Sequence, residues 1–507
     1  MLKNALLISL ASSALPLWSQ YADTRPNVIL IVADDLGYGD LSCYGAKSVL
    51  TPVTDSIARS GVRFTDAHAC AATSTPSRYA LLTGQYPFRK QGTDVAAGNA
   101  AMIISPEQPT LADIFKEAGY ATAAIGKWHL GLGSTTGEQD WNGTLDSSPA
   151  DLGFDYHYIM AATADRVPCV YIENGRIAHP DPSAPIEVNY RKNFEGEPTG
   201  KSHPHLLTKL RSSHGHDQSI VNGIGRIGYM RGGGKALWKD ETIADSIALH
   251  ATDFIDRNAG NPFFLYLCTN DVHVPRYPHE RFRGKSPMGL RGEAILQFDW
   301  TVGKVCDALR RNHLTDNTLI IITSDNGPVL DDGYADQAEE LAGDHQPGGR
   351  LRGGKYSTFE AGARVPFIVS WPRYAATGKV SHALVSHIDA LQTFVSLTGQ
   401  VPTESLPTDS RTCLPTWLGA EDTPVAFTVK MASNHALSLR AGKWKYIEPS
   451  RGSAMVPWGP KIETGYLSEP QLYDMETDEE ERLNVAKEHP DITEQFRQLL
   501  DKLREKQ

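Results

Sequence analysis

Beyond its N-terminus, the sequence contains no long apolar run. No later stretch approaches the roughly 18 consecutive apolar residues that a membrane-spanning helix requires. The N-terminus itself, residues 1–20, has the pattern of a signal peptide, with Lys3 ahead of a largely apolar segment from Ala5 to Leu17. No cysteine lies near the end of this segment, so a lipid anchor is not indicated. We therefore expect an exported protein, periplasmic or secreted, although a buried N-terminal helix is the alternative interpretation.

An excess of positive charge is also missing. The 507 residues include 49 Lys and Arg against 60 Asp and Glu, which gives a formal net charge of −11. This charge argues against general binding of nucleic acids or anionic membranes. An anionic substrate would have to be held by local cations, against the field of the whole protein.

Cysteine is scarce and unclustered. The six cysteines are widely spaced and form no CxxC pair, which argues against a zinc site. Export permits disulfides, but the spacing does not indicate any pairing. Cys268 lies within an apolar run and is predicted to be a buried thiol. Internal repeats and low-complexity tracts are absent as well.

What the sequence does contain is a series of apolar runs that alternate with helical patterns. Continuous apolar runs of this length are typical of strands buried on both faces, as in parallel sheets. We predict such strands at 27–33, 121–125, 262–268, 318–323 and 365–371. We predict helices at 51–61, 108–118, 240–257, 292–312 and 386–397. The alternation predicts an α/β fold.

The C-terminal part follows a different pattern. Residues 398–415 are rich in Pro, Thr and Ser and indicate a domain boundary. Beyond them, residues 436–440, 443–447 and 471–474 are predicted to form short antiparallel strands, and residues 491–506 a terminal amphipathic helix. We therefore divide the chain into a main domain at 25–400 and a C-terminal α+β subdomain at 401–507.

Acidic and amide side chains follow two of the predicted strands. Asp34 and Asp35 come directly after the first strand, and Asp325 and Asn326 follow the strand at 318–323. The carboxyl ends of parallel strands are where α/β sheets bind ligands. Adjacent carboxylates repel one another unless a cation holds them, and hard oxygen ligands suit calcium or magnesium. A capped turn is the alternative for Asp34 and Asp35.

Basic side chains follow other strands. Lys127 and His129 lie two residues apart, so both would point to one side in extended geometry. His273 comes just after the strand at 262–268, and Lys355 follows two glycines that allow the backbone to approach a ligand closely. Each of these residues alone is compatible with a surface position. Together with the acids, they indicate a polar site at one edge of the sheet.

Residues 74–84, with the sequence STPSRYALLTG, lead from a polar loop into an apolar helical pattern. Pro76 suits the first turn of a helix, so Ser74 would lie just before a helix N-terminus, where an anion is favoured. Arg78 follows one helical turn later and brings a fixed charge back toward Ser74. The alternative is an N-capped surface helix.

The Ser-x-Pro-Ser-Arg sequence followed by Leu-Leu-Thr-Gly resembles the defining motif of formylglycine-dependent sulfatases of type I, the arylsulfatase-like group. The segment Gly-Lys-Trp-His-Leu-Gly at 126–131 resembles the second motif of that family. The resemblance covers the chain from about Arg25 to the terminal helix, with the motifs in the family's order. It implies an alkaline-phosphatase-like core with a large mixed sheet flanked by helices, and a small C-terminal antiparallel sheet and helix.

The resemblance also implies a mechanism. Residue 74 would be oxidised to formylglycine (3-oxoalanine), whose hydrate is the nucleophile, and Arg78 would favour the ionised hydrate. Lys127, His273 and Lys355 would hold the sulfate oxygens, with either His273 or Lys355 protonating the leaving group. His129 would take a proton from the second hydroxyl of the hydrate. One calcium ion would be bound by Asp34, Asp35, Asp325, Asn326 and residue 74.

Serine, rather than the commoner cysteine, stands at position 74. In the family, serine is associated with bacteria that use an oxygen-independent radical maturase, so the resemblance implies such a sulfatase-maturating enzyme as a partner. The lysines and histidines stand where a second metal would need acids, which favours sulfate over phosphate. The remaining alternatives are a phosphate or phosphonate ester hydrolase on the same fold and a non-catalytic binder of sulfated glycans.

Residues 165–239 are predicted to be largely loop, either the wall of a substrate pocket or a solvated basic surface. Export and a loop-rich wall suggest a sulfated saccharide as substrate, with aryl sulfates as surrogates. The sequence does not indicate the sugar or the sulfated position. The candidate sugar contacts are Asp165, Arg166, His214, Arg226 and Arg350.

Overall fold

The strands and helices are defined in a computed structural model, which describes residue 21, residues 24–400, residue 406 and residues 409–505. The predicted signal peptide at 1–20 lies outside the described residues, as does part of the predicted boundary at 398–415. The strands are β1 (Asn27–Ala33), β2 (Val62–His68), β3 (Ala121–Lys127), β4 (Tyr156–Met160), β5 (Tyr171–Glu173), β6 (Arg176–Ile177), β7 (Glu187–Asn189), β8 (Ile220–Val221), β9 (Ile224–Gly225), β10 (Tyr229–Arg231), β11 (Phe263–Cys268), β12 (Thr318–Ser324), β13 (Phe367–Ser370), β14 (Lys379–Ser386), β15 (Thr428–Met431), β16 (Leu437–Ala441), β17 (Trp444–Ile447) and β18 (Gln471–Asp474). The α-helices are α1 (Pro52–Arg59), α2 (Ser74–Thr83), α3 (Leu111–Glu117), α4 (Ile243–Arg257), α5 (Gly289–Arg311), α6 (Ala390–Leu397), α7 (Leu414–Trp417) and α8 (Pro490–Glu505).

A mixed sheet of ten strands, in the order β14-β2-β13-β12-β1-β11-β3-β4-β5-β6, runs through the main domain. The five neighbours β12, β1, β11, β3 and β4 are parallel. Every residue of β1, β11 and β12 is buried, as expected for apolar strands covered on both faces. Because these strands are parallel, the residues that follow them meet at one edge of the sheet.

The helices pack in two groups. Helix α4 packs on α5, and α5 on α1, whereas α3, α6 and α2 contact one another. Helix α4 buries Ile247, Ala251 and Phe254 on the apolar face that its sequence predicts. No helix in the part of the chain that the structure describes combines the length and the apolar character needed to span a membrane.

The C-terminal sheet has four antiparallel strands in the order β15-β16-β17-β18, with α8 packed against β16. The predicted fold class, a large mixed sheet with helices and a small C-terminal antiparallel sheet and helix, is therefore confirmed. All six cysteines are free, and Cys268 is buried as expected.

The sequence patterns missed several short or irregular strands. Strand β15 and the main-sheet strands β2, β4 and β14 carry mixed polar and apolar residues instead of continuous apolar runs. The segment at 165–239, predicted to be largely loop, contains β5 to β10, each of two or three residues. Strands this short are defined by the partners they pair with and leave no readable periodicity.

Buried ion pairs join the C-terminal sheet to the main domain. Lys445 Nζ on β17 lies 3.0 Å from Glu360 Oε2 and 2.7 Å from Glu481 Oε1. Arg440 on β16 reaches Asp66 on β2 at 2.7 Å. Because these side chains are largely removed from water, losing one partner would leave an uncompensated charge. The C-terminal sheet is thus held in a defined position beside the loop that carries Lys355.

Candidate active site

The carboxyl ends of β12, β1, β11 and β3 gather the predicted polar residues at one edge of the sheet. Asp34 and Asp35 follow β1 directly, Asp325 follows β12, and Lys127 is the last residue of β3. Asp34, Asp35 and His273 each have one atom that could bind a metal ion, and these three atoms lie within 4.8 Å of one another. The topology therefore brings together residues that are far apart in the sequence, such as Asp35 and Asp325, which are 290 positions apart.

Ser74 is the first residue of α2, and all ten residues of this helix are buried. The helix thus starts at Ser74 and not after it as predicted, because the first turn of a helix has unpaired N–H groups and tolerates Pro76 there. Ser74 Oγ accepts a hydrogen bond from Lys127 Nζ at 2.7 Å. It lies 3.5 Å from Asp34 Oδ1 and 3.4 Å from Asn326 Oδ1. A capped surface helix is excluded by this burial.

The acidic side chains hold one another in place through the backbone and the amide of Asn326. Asp325 Oδ1 accepts from the backbone N–H of Asp35 at 3.2 Å, and Asn326 Nδ2 donates to Asp35 Oδ1 at 2.7 Å. The amide oxygen of Asn326 is thereby left facing Ser74. Burial, helped by the neighbouring carboxylates and opposed by Lys127, raises the pKa of Asp34 well above its ordinary value.

Three cations balance these acids. Lys127 Nζ lies 2.6 Å from Asp34 Oδ1, and Arg78 Nη2 lies 2.8 Å from Asp325 Oδ2. Lys355 Nζ donates to Asp35 Oδ2 at 2.8 Å and to Asp332 Oδ2 at 2.9 Å. Burial disfavours the charged ammonium of Lys355, but the carboxylates of Asp332 and Asp35 outweigh burial and raise its pKa well above normal.

The charge balance of this cluster fits an additional cation. Three cations face four carboxyl groups, all of them nearly removed from solvent, so the cluster carries a net charge of −1 when all four carboxyl groups are ionised and its histidines are neutral. A cluster with this charge repels an anionic ester. The donor set beside Ser74, with carboxylates and one amide oxygen, is the kind that calcium prefers. One divalent ion would change the net charge to +1.

His129 is held in a specific orientation and tautomer. Its backbone is left-handed, with φ of 59°, so the extended geometry predicted for 127–129 ends at Lys127. His129 Nε2 lies 2.9 Å from the carbonyl oxygen of Ala96, which only accepts, so Nε2 carries the hydrogen. Nδ1 is buried and has no hydrogen-bond partner among the described residues. Burial and the charge of Lys127 lower the pKa of His129 well below normal, which leaves Nδ1 as a free base.

His273 is oriented in a similar way from the other side. Its Nδ1 lies 2.6 Å from the carbonyl oxygen of Val274, and its Nε2 lies 3.7 Å from Asp35 Oδ2. Burial, followed by the charge of Lys355, lowers the pKa of His273 well below its ordinary value. In the absence of a bound anion, His273 is therefore neutral and presents Nε2 to the site.

A cavity of about 450 Å³ opens above Ser74 and is lined by His129, His273 and Lys355. Its volume lies in the range of about 300 to 1,000 Å³ typical of small-molecule pockets. Two of the predicted sugar contacts, Asp165 and Arg166, line the cavity. They form an ion pair at 2.9 Å, and Asp165 also contacts His216 Nε2 at 3.0 Å.

The other three predicted sugar contacts lie elsewhere. Arg226 is fully buried and donates hydrogen bonds to Asp240 at 2.7 and 2.8 Å, so its guanidinium forms part of a buried ion pair. The side chain of Arg350 is 79% exposed and lies beside a different cavity. His214 lies 3.7 Å from Asp331, outside the lining of the active-site cavity. We therefore withdraw Arg226, Arg350 and His214 as sugar contacts.

Several lining residues were not predicted. Asp332 accepts from both Lys355 Nζ and the Tyr356 hydroxyl, the latter at 2.8 Å. The sequence could have indicated Asp332, because it belongs to an acidic pair, Asp331-Asp332, like the acidic pair after β1. Residues that line the cavity from the C-terminal part, among them His435 and Trp458, had no such signal because only tertiary packing brings them there.

Comparison with known proteins places this arrangement in a family. The family model described as Sulfatase matches residues 26–400. An N-acetylgalactosamine-6-O-sulfatase of Bacteroides thetaiotaomicron is 50% identical over 480 residues, which cover 95% of this chain and 93% of that protein. The chain therefore belongs to the sulfatase family, and it is a sulfuric ester hydrolase.

Solved structures agree with this assignment. One, whose description concerns the metabolism of multiple glycosaminoglycans by Bacteroides thetaiotaomicron, is 50% identical with a TM-score of 0.92 and covers 94% of this chain and 99% of that chain. A phosphonate monoester hydrolase of Agrobacterium radiobacter has a TM-score of 0.58 at 20% identity, covering 94% of this chain and 95% of that chain. At that identity the likeness shows the fold alone.

The contacts of Asp332 generate a prediction for catalysis. In Asp332→Asn, Lys355 keeps only one charged partner and is drawn toward Asp35, so kcat/KM of the matured enzyme should fall by about 10- to 100-fold. The matched control is Asp331→Asn, because Asp331 is 29% exposed and lies outside the cavity lining. Steady-state kinetics of both variants measure the effect. Equal activities of the two variants would show that Asp332 does not position Lys355.

Proposed function

We propose that this member of the sulfatase family removes the 6-O-sulfate of an N-acetylgalactosamine unit in a sulfated saccharide. The observation that carries the proposal is the position of Ser74 in the lining of a cavity, within hydrogen-bond reach of Lys127. The 50% identical relative, an N-acetylgalactosamine-6-O-sulfatase, supports the choice of sugar and position. Asp165 and Arg166 would contact the hydroxyl groups of the sugar.

Ser74 would be converted to formylglycine by a radical sulfatase-maturating enzyme of the Ser type. One calcium ion would be held by the oxygen ligands after β1 and β12, namely Asp34, Asp35, Asp325 and Asn326. When bound, calcium would offset the carboxylate charge and favour an ionised oxygen on residue 74. Residues 1–20 would direct export, so the enzyme would act in the periplasm or outside the cell.

The first chemical step would transfer the sulfuryl group to residue 74. One oxygen of the aldehyde hydrate attacks sulfur, and the bond between sulfur and the sugar oxygen breaks. Lys127 and Lys355 hold the sulfate oxygens against the developing negative charge. Arg78, fixed by its ion pair with Asp325, adds a positive charge at the nucleophile.

His273 is the better candidate for protonating the departing sugar oxygen. The raised pKa of Lys355, caused by its two carboxylate partners against the effect of burial, makes its ammonium a weak acid. The pKa of His273 is lowered by burial and then by the charge of Lys355, so an incoming sulfate would favour its protonation. His273 Nε2 would then give its proton to the leaving oxygen.

The second step would release sulfate. The free Nδ1 of His129 takes the proton of the remaining hydroxyl on residue 74. The carbon–oxygen bond to the sulfate then breaks, which restores the aldehyde and releases inorganic sulfate. An unmodified serine would have no second hydroxyl and would stay sulfated after one turnover.

The charge of the cluster favours a sulfate ester over a phosphate ester. A sulfate monoester carries one negative charge, which matches the net charge of +1 that the cluster would have with one calcium ion. A phosphate monoester carries nearly two charges at neutral pH. The rival function, phosphate or phosphonate ester hydrolysis, is supported only by a shared fold at 20% identity.

Matched esters test the proposed function. The matured protein should hydrolyse N-acetylgalactosamine 6-sulfate with a kcat/KM about 100-fold above that for the 6-phosphate, because the second negative charge is not compensated. Ser74→Ala is the control and should be inactive on both esters. Faster hydrolysis of the phosphate would contradict the proposal. The absence of turnover by fully matured protein on all sulfated sugars would favour a non-catalytic binder of sulfated glycans.

The choice of general acid predicts a dependence on the leaving group. A nitrophenolate leaves without a proton, whereas a sugar alcohol needs one. His273→Gln should therefore lose about tenfold more kcat/KM on the sugar sulfate than on 4-nitrophenyl sulfate. Lys355→Arg, which keeps the charge but cannot give up a proton, should affect both substrates alike. The opposite pattern would identify Lys355 as the acid.

A further inference from the structure

A second cavity adjoins the active-site cavity. Its volume is about 410 Å³, and it shares Asp94, Met431 and His435 with the cavity above Ser74. The side chains of Asp94 and His435 contact each other and are 65% and 62% exposed. Both side chains line both cavities, so the two cavities meet at this pair.

The walls of the second cavity come from fixed segments. One wall is the segment 87–94, which follows the helix that carries Ser74. Thr93 Oγ1 donates to the carbonyl oxygen of Pro87 at 3.0 Å, and Arg89 donates to Asp409 and to the carbonyl oxygen of Leu503 in α8. The opposite wall is formed by the C-terminal sheet and α8. A cavity with walls held in this way is formed before any ligand binds.

The lining of the second cavity includes an aromatic ring and a lysine that has no charged partner among the described residues. Phe88 lines the cavity and stacks on Tyr86 with 5.4 Å between ring centroids. Arg504 is paired with Glu448 at 2.7 Å, and His435 is paired with Asp94. Lys90 is a half-buried residue, and its ammonium forms no ion pair or hydrogen bond with any residue that the structure describes. In a protein with a net charge of −11, a lone cation in a cavity is suited to an anionic ligand.

We propose that the second cavity binds the sugar next to the sulfated one, and that Lys90 pairs with an anionic group on that neighbouring sugar. The proposal rests on the proposed function, because the sulfated sugar must occupy the first cavity. Phe88 provides an apolar surface for the ring of the neighbouring sugar, and Lys90 selects a carboxylate or sulfate on it. The enzyme would therefore prefer an acidic oligosaccharide to the isolated sulfated monosaccharide.

Binding to the full-length Ser74→Ala protein in calcium-containing buffer tests this subsite without turnover or maturation. The probes are N-acetylgalactosamine 6-sulfate alone and disaccharides in which a hexuronate is linked at its reducing or its non-reducing side. A third set consists of the same disaccharides with the carboxylate converted to its methyl ester, which lacks the anionic group. In a fourth set, the neighbouring sugar is neutral apart from a sulfate, which takes the place of the carboxylate. Calorimetry gives Kd for each probe.

One of the two hexuronate disaccharides should bind at least about fivefold more tightly than the monosaccharide. Lys90→Gln in the same background should remove this advantage and leave the Kd of the monosaccharide within about twofold. Lys90→Arg should retain the advantage. The matched control is Lys47→Gln, because Lys47 is an exposed lysine that lines a separate cavity.

Other outcomes separate the two levels of the proposal. Equal affinities for the monosaccharide and all disaccharides, or an advantage that survives Lys90→Gln, would overturn the subsite and leave the proposed function standing. Equal binding of the methylated and free hexuronates would overturn the role of charge at Lys90. Failure of the monosaccharide and of every disaccharide to bind would contradict the proposed function itself.

Discussion

The rest of the active site depends on the need to balance buried charges around Ser74. Seven ionisable side chains at the sheet edge are nearly removed from solvent, and such groups are costly unless each has partners. The ends of the parallel strands β12, β1 and β3 supply three of the acids and one lysine, α2 supplies Arg78, and the loop between β12 and β13 supplies Asp332 and Lys355. Ser74 is thus built into an ion network, so its surroundings are fixed before a substrate arrives.

The parts of this network that the sequence predicts are those that directly follow a buried strand. Asp34, Asp325 and Lys127 could be placed because a continuous apolar run ends just before, or at, each of them. The direction of parallel strands then requires that these ends meet. The family motif at 74–84 added Ser74 as the candidate nucleophile, and the match of the Sulfatase family over residues 26–400 confirms the predicted family.

The wall of the substrate cavity could not be predicted in the same way. His435 and Trp458 reach the cavity from the C-terminal part, which is held in place by buried ion pairs such as Lys445 with Glu360. Arg226 resembles a substrate contact in the sequence, but its partner Asp240 is brought to it only by the folded chain. Local backbone geometry also could not be predicted. The side chains of Lys127 and His129 were expected to point to one side of an extended strand, but the positive φ of His129 ends the extended geometry before that residue.

The mass of the peptide that contains residue 74 shows whether this residue is converted to formylglycine. The protein would be produced together with a radical maturase of the Ser type, digested with trypsin and analysed by mass spectrometry. If residue 74 is converted to formylglycine, this peptide is lighter by two hydrogen atoms than the serine form, and the extent of conversion tracks sulfatase activity. Full activity in protein whose residue 74 remains an unmodified serine would contradict the proposed mechanism.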